Sequence, residues 1–216
     1  MNQPLEPRSR APFAPRLDED DDEGDTAVQA PKAGPAFLDK YLLEARVLMV
    51  TGPVSDRMAQ SVSTRALVLE QLDPQRPITV MINSPGGSAD SGFAIYDVLR
   101  FVSPPIVTVV NGLCASAAIL IGLAAEKNRR FTMPGSRFLI HQPSTGAQGS
   151  ASDLDITARE ILKMRERYNR IIAERTGQDA EKVLEDARRD FWLSAEESVK
   201  YGLVAKIVRK RSEIPG

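Results

Sequence analysis

The chain has 216 residues, 42 % of them hydrophobic and 26 % charged, with a formal net charge of −1. That balance describes a globular domain and supplies no basic field to recruit nucleic acid. A single cysteine, Cys114, and a single histidine, His141, exclude a disulfide scaffold, fit a reducing cytoplasm and leave too few nitrogen and sulfur ligands for a zinc site.

Residues 1–36 stand apart from the rest. They hold six of the fifteen prolines and the acidic run DEDDDEGD at 18–25, and they carry a net charge of −4 while the remainder is near +3. No apolar core of the kind a signal peptide needs is present. Such a segment buries too little apolar surface to offset its ordering entropy, so it is read as a disordered tail. The folded domain is expected over 37–210, with 211–216 as a short C-terminal tail.

From there a regular alternation sets in. RVLMVTG (46–52) reads as a strand, residues 56–73 as an amphipathic helix, ITVMINS (78–84) as a strand and about 88–102 as a helix. Residues 106–125 form a twenty-residue run without charge, long enough to imitate a membrane span. Asn111-Gly112 interrupts that run and β-branched residues fill only its first half. A buried strand over 106–112 turning into a buried helix near 115–126 explains both features. Two short strands follow, near 130–133 and 137–142. A long helix covers 150–177 and stops at Gly177, and a shorter one covers about 179–187. Ser194 and Glu197 have capping-box spacing, which opens a last helix, and LVAKIV (203–208) reads as a last strand. Strands that are near-continuous apolar runs, alternating with helices, mean βαβ units and a mostly parallel sheet: an α/β fold.

Three places can carry chemistry. In INSPGGSADSG (82–92) a strand ends in a Pro-Gly-Gly turn before a helix, which serves either as a plain turn or as a cradle of bare N–H groups for an anion. In NGLCASAAI (111–119), Ser116 follows a strand and opens an Ala-rich helix. It is either a small packing residue or an exposed hydroxyl beside helix N–H groups. The third is His141, at the end of an apolar strand and before the loop-like PSTGAQGS. A serine so placed needs a base of near-neutral pKa, and His141 is the only imidazole. The imidazole in turn needs an orienting carboxylate. Asp153, Asp155, Asp179, Asp186 and Asp190 are all available, with several glutamates. Asp190 has one local argument: it precedes FWLS, an apolar stretch expected to bury its surroundings.

INSPGG, the serine of CASAA, IHQP and DFWLSAEE together resemble the Clp protease family, the proteolytic subunit ClpP. The resemblance runs from about Tyr41 to Val208. The intervals from Gly87 to Ser116, Ser116 to His141 and His141 to Asp190 are 29, 25 and 49 residues, and they match the family's spacing without a gap. AREILK (158–163) and EESVKYGLV (196–204) match its pattern as well. The resemblance implies a serine endopeptidase with Ser116 as nucleophile, His141 as general base and Asp190 as orienter. The backbone N–H groups of Gly87 and Ala117 would form the oxyanion hole.

It also implies a crotonase-like spiral of βαβ units with a protruding handle helix at 150–176. Leu154, Ile161, Leu162, Tyr168, Ile171 and Ile172 would form the contact stripe of that helix. Two stacked heptameric rings would enclose a chamber for unfolded protein, fed by an AAA+ unfoldase that uses the ATP. No cofactor, metal, nucleic acid or membrane is expected of this chain itself. A crotonase-like acyl-CoA enzyme, a non-catalytic ring subunit and a Ser–Lys peptidase are the competing readings. The Ser…His…Asp spacing weighs against the first two, and no lysine lies near the matched positions for the third.

The sequence departs from the family in four places, one of them Cys114, two residues before Ser116. Ala117 stands where a methionine usually follows the nucleophile. Arg188-Arg189 replaces an acid–arginine pair that senses ring–ring contact through handle acids such as Asp153. The acidic tail stands where an axial hairpin normally touches the ATPase, so the usual docking is not implied; the tail is either a solvated extension or, on the sharper reading, a segment that fills or screens the axial pore. A chain shortened to begin at Ala36 is then expected to degrade an unstructured substrate such as casein faster than the full chain; equal rates would refute the screening role.

Overall fold

The computed structural model describes residues 36–143 and 148–215. The expected acidic tail lies outside the described residues, apart from Ala36, which opens a helix that the sequence did not announce (α1, Ala36–Glu44). Strand β1 (Val47–Thr51), helix α2 (Asp56–Leu72), strand β2 (Ile78–Ser84), helix α3 (Ala89–Phe101) and strand β3 (Ile106–Ala115) follow. The three strands pair in parallel in chain order. Each helix is the crossover that parallel neighbours require. Serine caps open both: the Ser55 hydroxyl accepts from the Met58 N–H in α2, and Ser88 accepts from the Ser91 N–H in α3. The central strands are buried on both faces, with Val80, Ile82, Val107 and Val109 fully enclosed.

Strand β3 corrects the expectation for the long apolar run. Asn111-Gly112 does not break it: the strand continues to Ala115, and the helix behind it is short (α4, Ala117–Leu123). What changes at Asn111-Gly112 is the neighbour. Thr108–Val110 pair with β4 (Arg130–Thr132), whereas Leu113–Ala115 pair with β5 (Arg137–Ile140). The run is thus divided between a strand and a seven-residue helix, and among the described residues no helix is long and apolar enough to cross a membrane.

The remaining elements are α5 (Ala151–Thr176), α6 (Ala180–Asp186), β6 (Phe191–Ser194), α7 (Ala195–Tyr201) and β7 (Lys206–Ile207). Strand β6, which pairs antiparallel with β5, was not expected. The last strand is only Lys206–Ile207, paired with β4, rather than the whole of 203–208. The signals at helix ends hold. Gly177 (φ 80°) and Gly202 (φ 91°) terminate α5 and α7 in the left-handed region, and the Ser194–Glu197 capping box opens α7.

Helix α5 is half outside the domain. Its first ten residues are exposed apart from the partly buried Thr157, while Tyr168, Ile171 and Ile172 sit in the core. The expected contact stripe therefore splits. Leu154 and Leu162 are exposed, but Tyr168, Ile171 and Ile172 are used up within the chain because α5 packs on α4 and α3 at that level. Arg167 ties this base to α3: its guanidinium is 3.0 Å from Asp97 and lies 4.2 Å from the centre of the Phe93 ring. Asp153, proposed from the sequence as a ring-contact acid, is occupied in the capping box of α5 with Ser150.

Two buried arginines serve as internal fasteners. Arg46 donates to the carbonyls of Leu69, Asp73, Arg76 and Pro77, which closes the C-terminal end of α2 over β1. Arg130 donates to the carbonyls of Ala125, Arg175 and Gly202. Burial lowers the Arg130 pKa to about 10, so it stays charged at neutral pH. Arg130→Met keeps most of the bulk and removes the donors. The carbonyls left behind are expected to cost roughly 3 kcal/mol in all. Circular dichroism melting should show a midpoint roughly 10 °C lower.

Candidate active site

Strand β3 ends at Ala115 and α4 begins at Ala117, so Ser116 alone makes the connection. Its backbone is at φ 54°, ψ −125°. Among the described non-glycine residues only Arg46 shares a positive φ. Such a conformation costs on the order of 1–3 kcal/mol and persists only where the surroundings fix it. They do so here. The Ser116 N–H donates to Leu139 O at 2.9 Å, and Ser116 O accepts from the Ile119 N–H at 2.9 Å and from the Tyr168 hydroxyl at 3.1 Å. The side chain makes no capping hydrogen bond to its own helix, and Ser116 lines a cleft.

The Pro-Gly-Gly turn packs directly on this connection. Gly86 (φ 86°) comes so close that a Cβ there would lie 2.6 Å from both Ala115 O and Ser116 Cβ. A Cβ on Gly87 (φ 147°) would lie 2.3 Å from Val54 O. The turn is bridged to Val54 through the Gly86 carbonyl and the Ser88 N–H, which leaves the Gly87 N–H out of that pairing. Asn83, read from the sequence only as a strand end, has a definite task. Its Oδ1 accepts from the Leu113 N–H at 3.0 Å across the register shift between β2 and β3. Gly112 makes room for it, since a Cβ there would lie 2.5 Å from that oxygen.

Sheet pairing brings the other two predicted residues to the same place. Ala115 and Leu139 share a rung of the β3–β5 ladder, so Ser116 lies one residue beyond it and His141 two. Ile140 and Phe191 share the rung that ends the antiparallel β5–β6 pair, which sets His141 and Asp190 side by side. Strand β6, missed in the sequence, is thus what delivers the carboxylate. His141 Nδ1 lies 3.9 Å from Asp190 Oδ1. This is wider than a hydrogen bond, in keeping with the loose geometry common in substrate-free sites. One expectation is corrected: FWLS does not bury Asp190. The Asp190 side chain is 66 % exposed and Trp192 is 44 % exposed, because β6 is an edge strand. Of the competing carboxylates, Asp186 is held by the Lys182 ammonium and the Tyr201 hydroxyl, and Asp179 caps α6.

Ser116 and His141 line a cleft of about 600 Å³. Gly87 and Ala117 line it too, so four of the five predicted site residues meet there, with Asp190 behind the imidazole. Its walls are apolar: Phe93 from α3, Leu120 from α4, and Ile161, Met164 and Tyr168 from α5. Sequence reasoning missed this wall. The three residues from α5 follow i, i+3, i+7 spacing; the sequence reading places Ile161 and Tyr168 in the contact stripe of the handle and does not single out Met164. The Asp90 and Glu160 carboxylates stand at the rim. Cys114 is unsuited to act as a nucleophile: it is buried, and burial pushes its thiol far above the usual range. Among the described residues no cluster of histidine, cysteine and carboxylate side chains is fit to hold a metal ion.

Chemically, the arrangement offers a strained serine beside an imidazole and a carboxylate, with backbone N–H groups nearby and an apolar trough for a side chain. Comparison with known proteins gives this geometry a family. Residues 36–211 match the Clp protease family. A Treponema denticola protein named ATP-dependent Clp protease proteolytic subunit 2 is 46 % identical over 180 residues, covering 83 % of this chain and 90 % of the relative. The protein of that name from Pseudomonas aeruginosa is 47 % identical over 179 residues, covering 83 % and 89 %. A solved structure of a ClpP1 mutant from Listeria monocytogenes superposes with a TM-score of 0.75 at 42 % identity, covering 81 % of this chain and 98 % of that one. The chain belongs to the Clp protease family.

Proposed function

We propose that this chain is the proteolytic subunit of an ATP-dependent protease and hydrolyses peptide bonds through Ser116, His141 and Asp190. The observation that carries the reading is the strained Ser116 turn at the mouth of the apolar cleft, with His141 one strand rung away. In this reading His141 takes the Ser116 proton as the hydroxyl attacks a peptide carbonyl, then returns it to the leaving amine. Water next releases the acyl group. The developing oxyanion is held by the N–H groups of Gly87 and Ala117, each worth roughly 3 kcal/mol in the transition state. Asp190 keeps the proton of His141 on the ring nitrogen that faces away from Ser116.

The apolar walls favour substrates with an apolar side chain before the scissile bond. Seating such a side chain against Phe93, Leu120 and Met164 removes it from water without leaving a charge unpaired. The exposed Leu154, Ile156 and Leu162 support assembly, since they leave apolar surface around the outer turns of α5 that the chain itself does not cover. Two stacked heptameric rings with these turns between them would enclose the clefts. The chamber would admit only unfolded chains, delivered by an AAA+ unfoldase in the cytoplasm, and the subunit itself would need no cofactor.

Reaction with a fluorophosphonate followed by peptide mapping tests the triad. Adduct is expected on Ser116 and is expected to vanish in His141→Ala; adduct elsewhere, or none, refutes the assignment. Peptide hydrolysis should fall by about 10⁶ in Ser116→Ala and by about 10⁴ in Asp190→Asn, where the imidazole takes the wrong tautomer.

A further inference from the structure

The hydroxyl of Tyr168 reaches into the site from the base of α5. It donates to Ser116 O at 3.1 Å, the side chain is only 3 % exposed, and its ring lines the cleft. Burial raises the phenol far above its usual range, so it stays a protonated donor at any working pH. Packing alone does not call for a hydroxyl here, since a phenylalanine would fill the same volume. The acceptor is also not in need of a partner, because Ser116 O already receives the Ile119 N–H. The bond therefore has to be understood through what it does to the peptide between Ser116 and Ala117.

That peptide unit is planar and trans, so its C=O and N–H point in opposite directions. Holding the carbonyl of Ser116 from the Tyr168 side fixes the direction of the Ala117 N–H on the other side. The Ala117 N–H is the first of α4, and the first N–H groups of a helix have no acceptor within it. A hydrogen bond accepted by the carbonyl also polarises the amide and makes its N–H a stronger donor. Meanwhile the Ser116 N–H is tied to Leu139 O, so both peptide planes that flank the serine are fixed.

We infer that Tyr168 is a positioning residue for catalysis: through its bond to Ser116 O it aims and strengthens the Ala117 N–H as an oxyanion donor. The inference rests on the peptidase reading above and deepens it. The side chain touches no reacting atom. Its effect belongs to the transition state, where charge develops on the oxygen that Ala117 faces, and not to ground-state binding.

The test is Tyr168→Phe in the full-length assembled protein, read by peptide hydrolysis and by a peptide boronate whose tetrahedral adduct occupies the oxyanion hole. Expected are a fall in kcat of about 10-fold with KM within two-fold, and boronate binding weakened by about the same factor. Rings should remain intact by native mass spectrometry. Incorporating 4-aminophenylalanine at Tyr168, which restores a donor, should recover most of both losses, whereas a role in packing alone would not respond. Wild-type kcat in Tyr168→Phe would overturn the inference. So would a rise in KM alone, a fall in kcat with boronate affinity unchanged, or failure of the variant to assemble. A wild-type protein that neither hydrolyses peptide nor binds the boronate would overturn the peptidase reading together with it.

Discussion

The structure depends on holding one residue, Ser116, in a backbone conformation that side chains with a Cβ avoid. A strand that turned into a helix with ordinary geometry would direct this residue into the packing between the layers. At φ 54°, ψ −125° strand gives way to helix within a single residue, the hydroxyl makes no bond to cap its own helix, and α4 starts at once. The strain has to be held from several sides. Strand β5 supplies an acceptor, α5 supplies a donor, and Gly86 in the turn after β2 comes so close to Ser116 that it cannot carry a side chain. Three elements distant in sequence are thereby fitted around one peptide group.

The fork in the sheet makes this geometry possible. Strand β3 gives its first half to β4 and its second half to β5, and the cleft opens beyond its far end, at Ser116. Open α/β sheets place their sites at such changes of direction, beyond the C-terminal ends of the strands. Here β5 leads His141 out beside the serine. The antiparallel strand β6 then returns along β5 and sets Asp190 next to the imidazole. The order of the three residues in sequence follows from this path.

Much of this was legible in the residues, because the signals were local or strictly spaced. Apolar runs with interleaved helices gave the parallel sheet, Ser194 with Glu197 and Gly177 marked helix ends, and the family resemblance singled out Gly87, Ser116, Ala117, His141 and Asp190, four of which line one cleft with Asp190 beside His141. What was not legible depended on tertiary choices. Phe191 and Trp192 read as buried from their hydrophobicity, but an edge strand exposes one side, so Trp192 and Asp190 meet solvent. Asn111-Gly112 reads as a strand breaker, yet the pair sits where the ladder changes partner and Asn83 bridges the irregularity. Tyr168 carries no signal that separates a residue facing the cleft from one facing another subunit. Only the depth to which α5 is sunk into the domain decides that.

The placement of Cys114 has a consequence of a different kind. It is the only thiol in 216 residues, it is fully enclosed, and its sulfur donates to Ala118 O within the first turn behind Ser116. A thiol so enclosed meets an alkylating reagent only when the layer under Ser116 comes apart. Its modification is then a clock on native-state opening of that layer, one that the fold carries without any added probe.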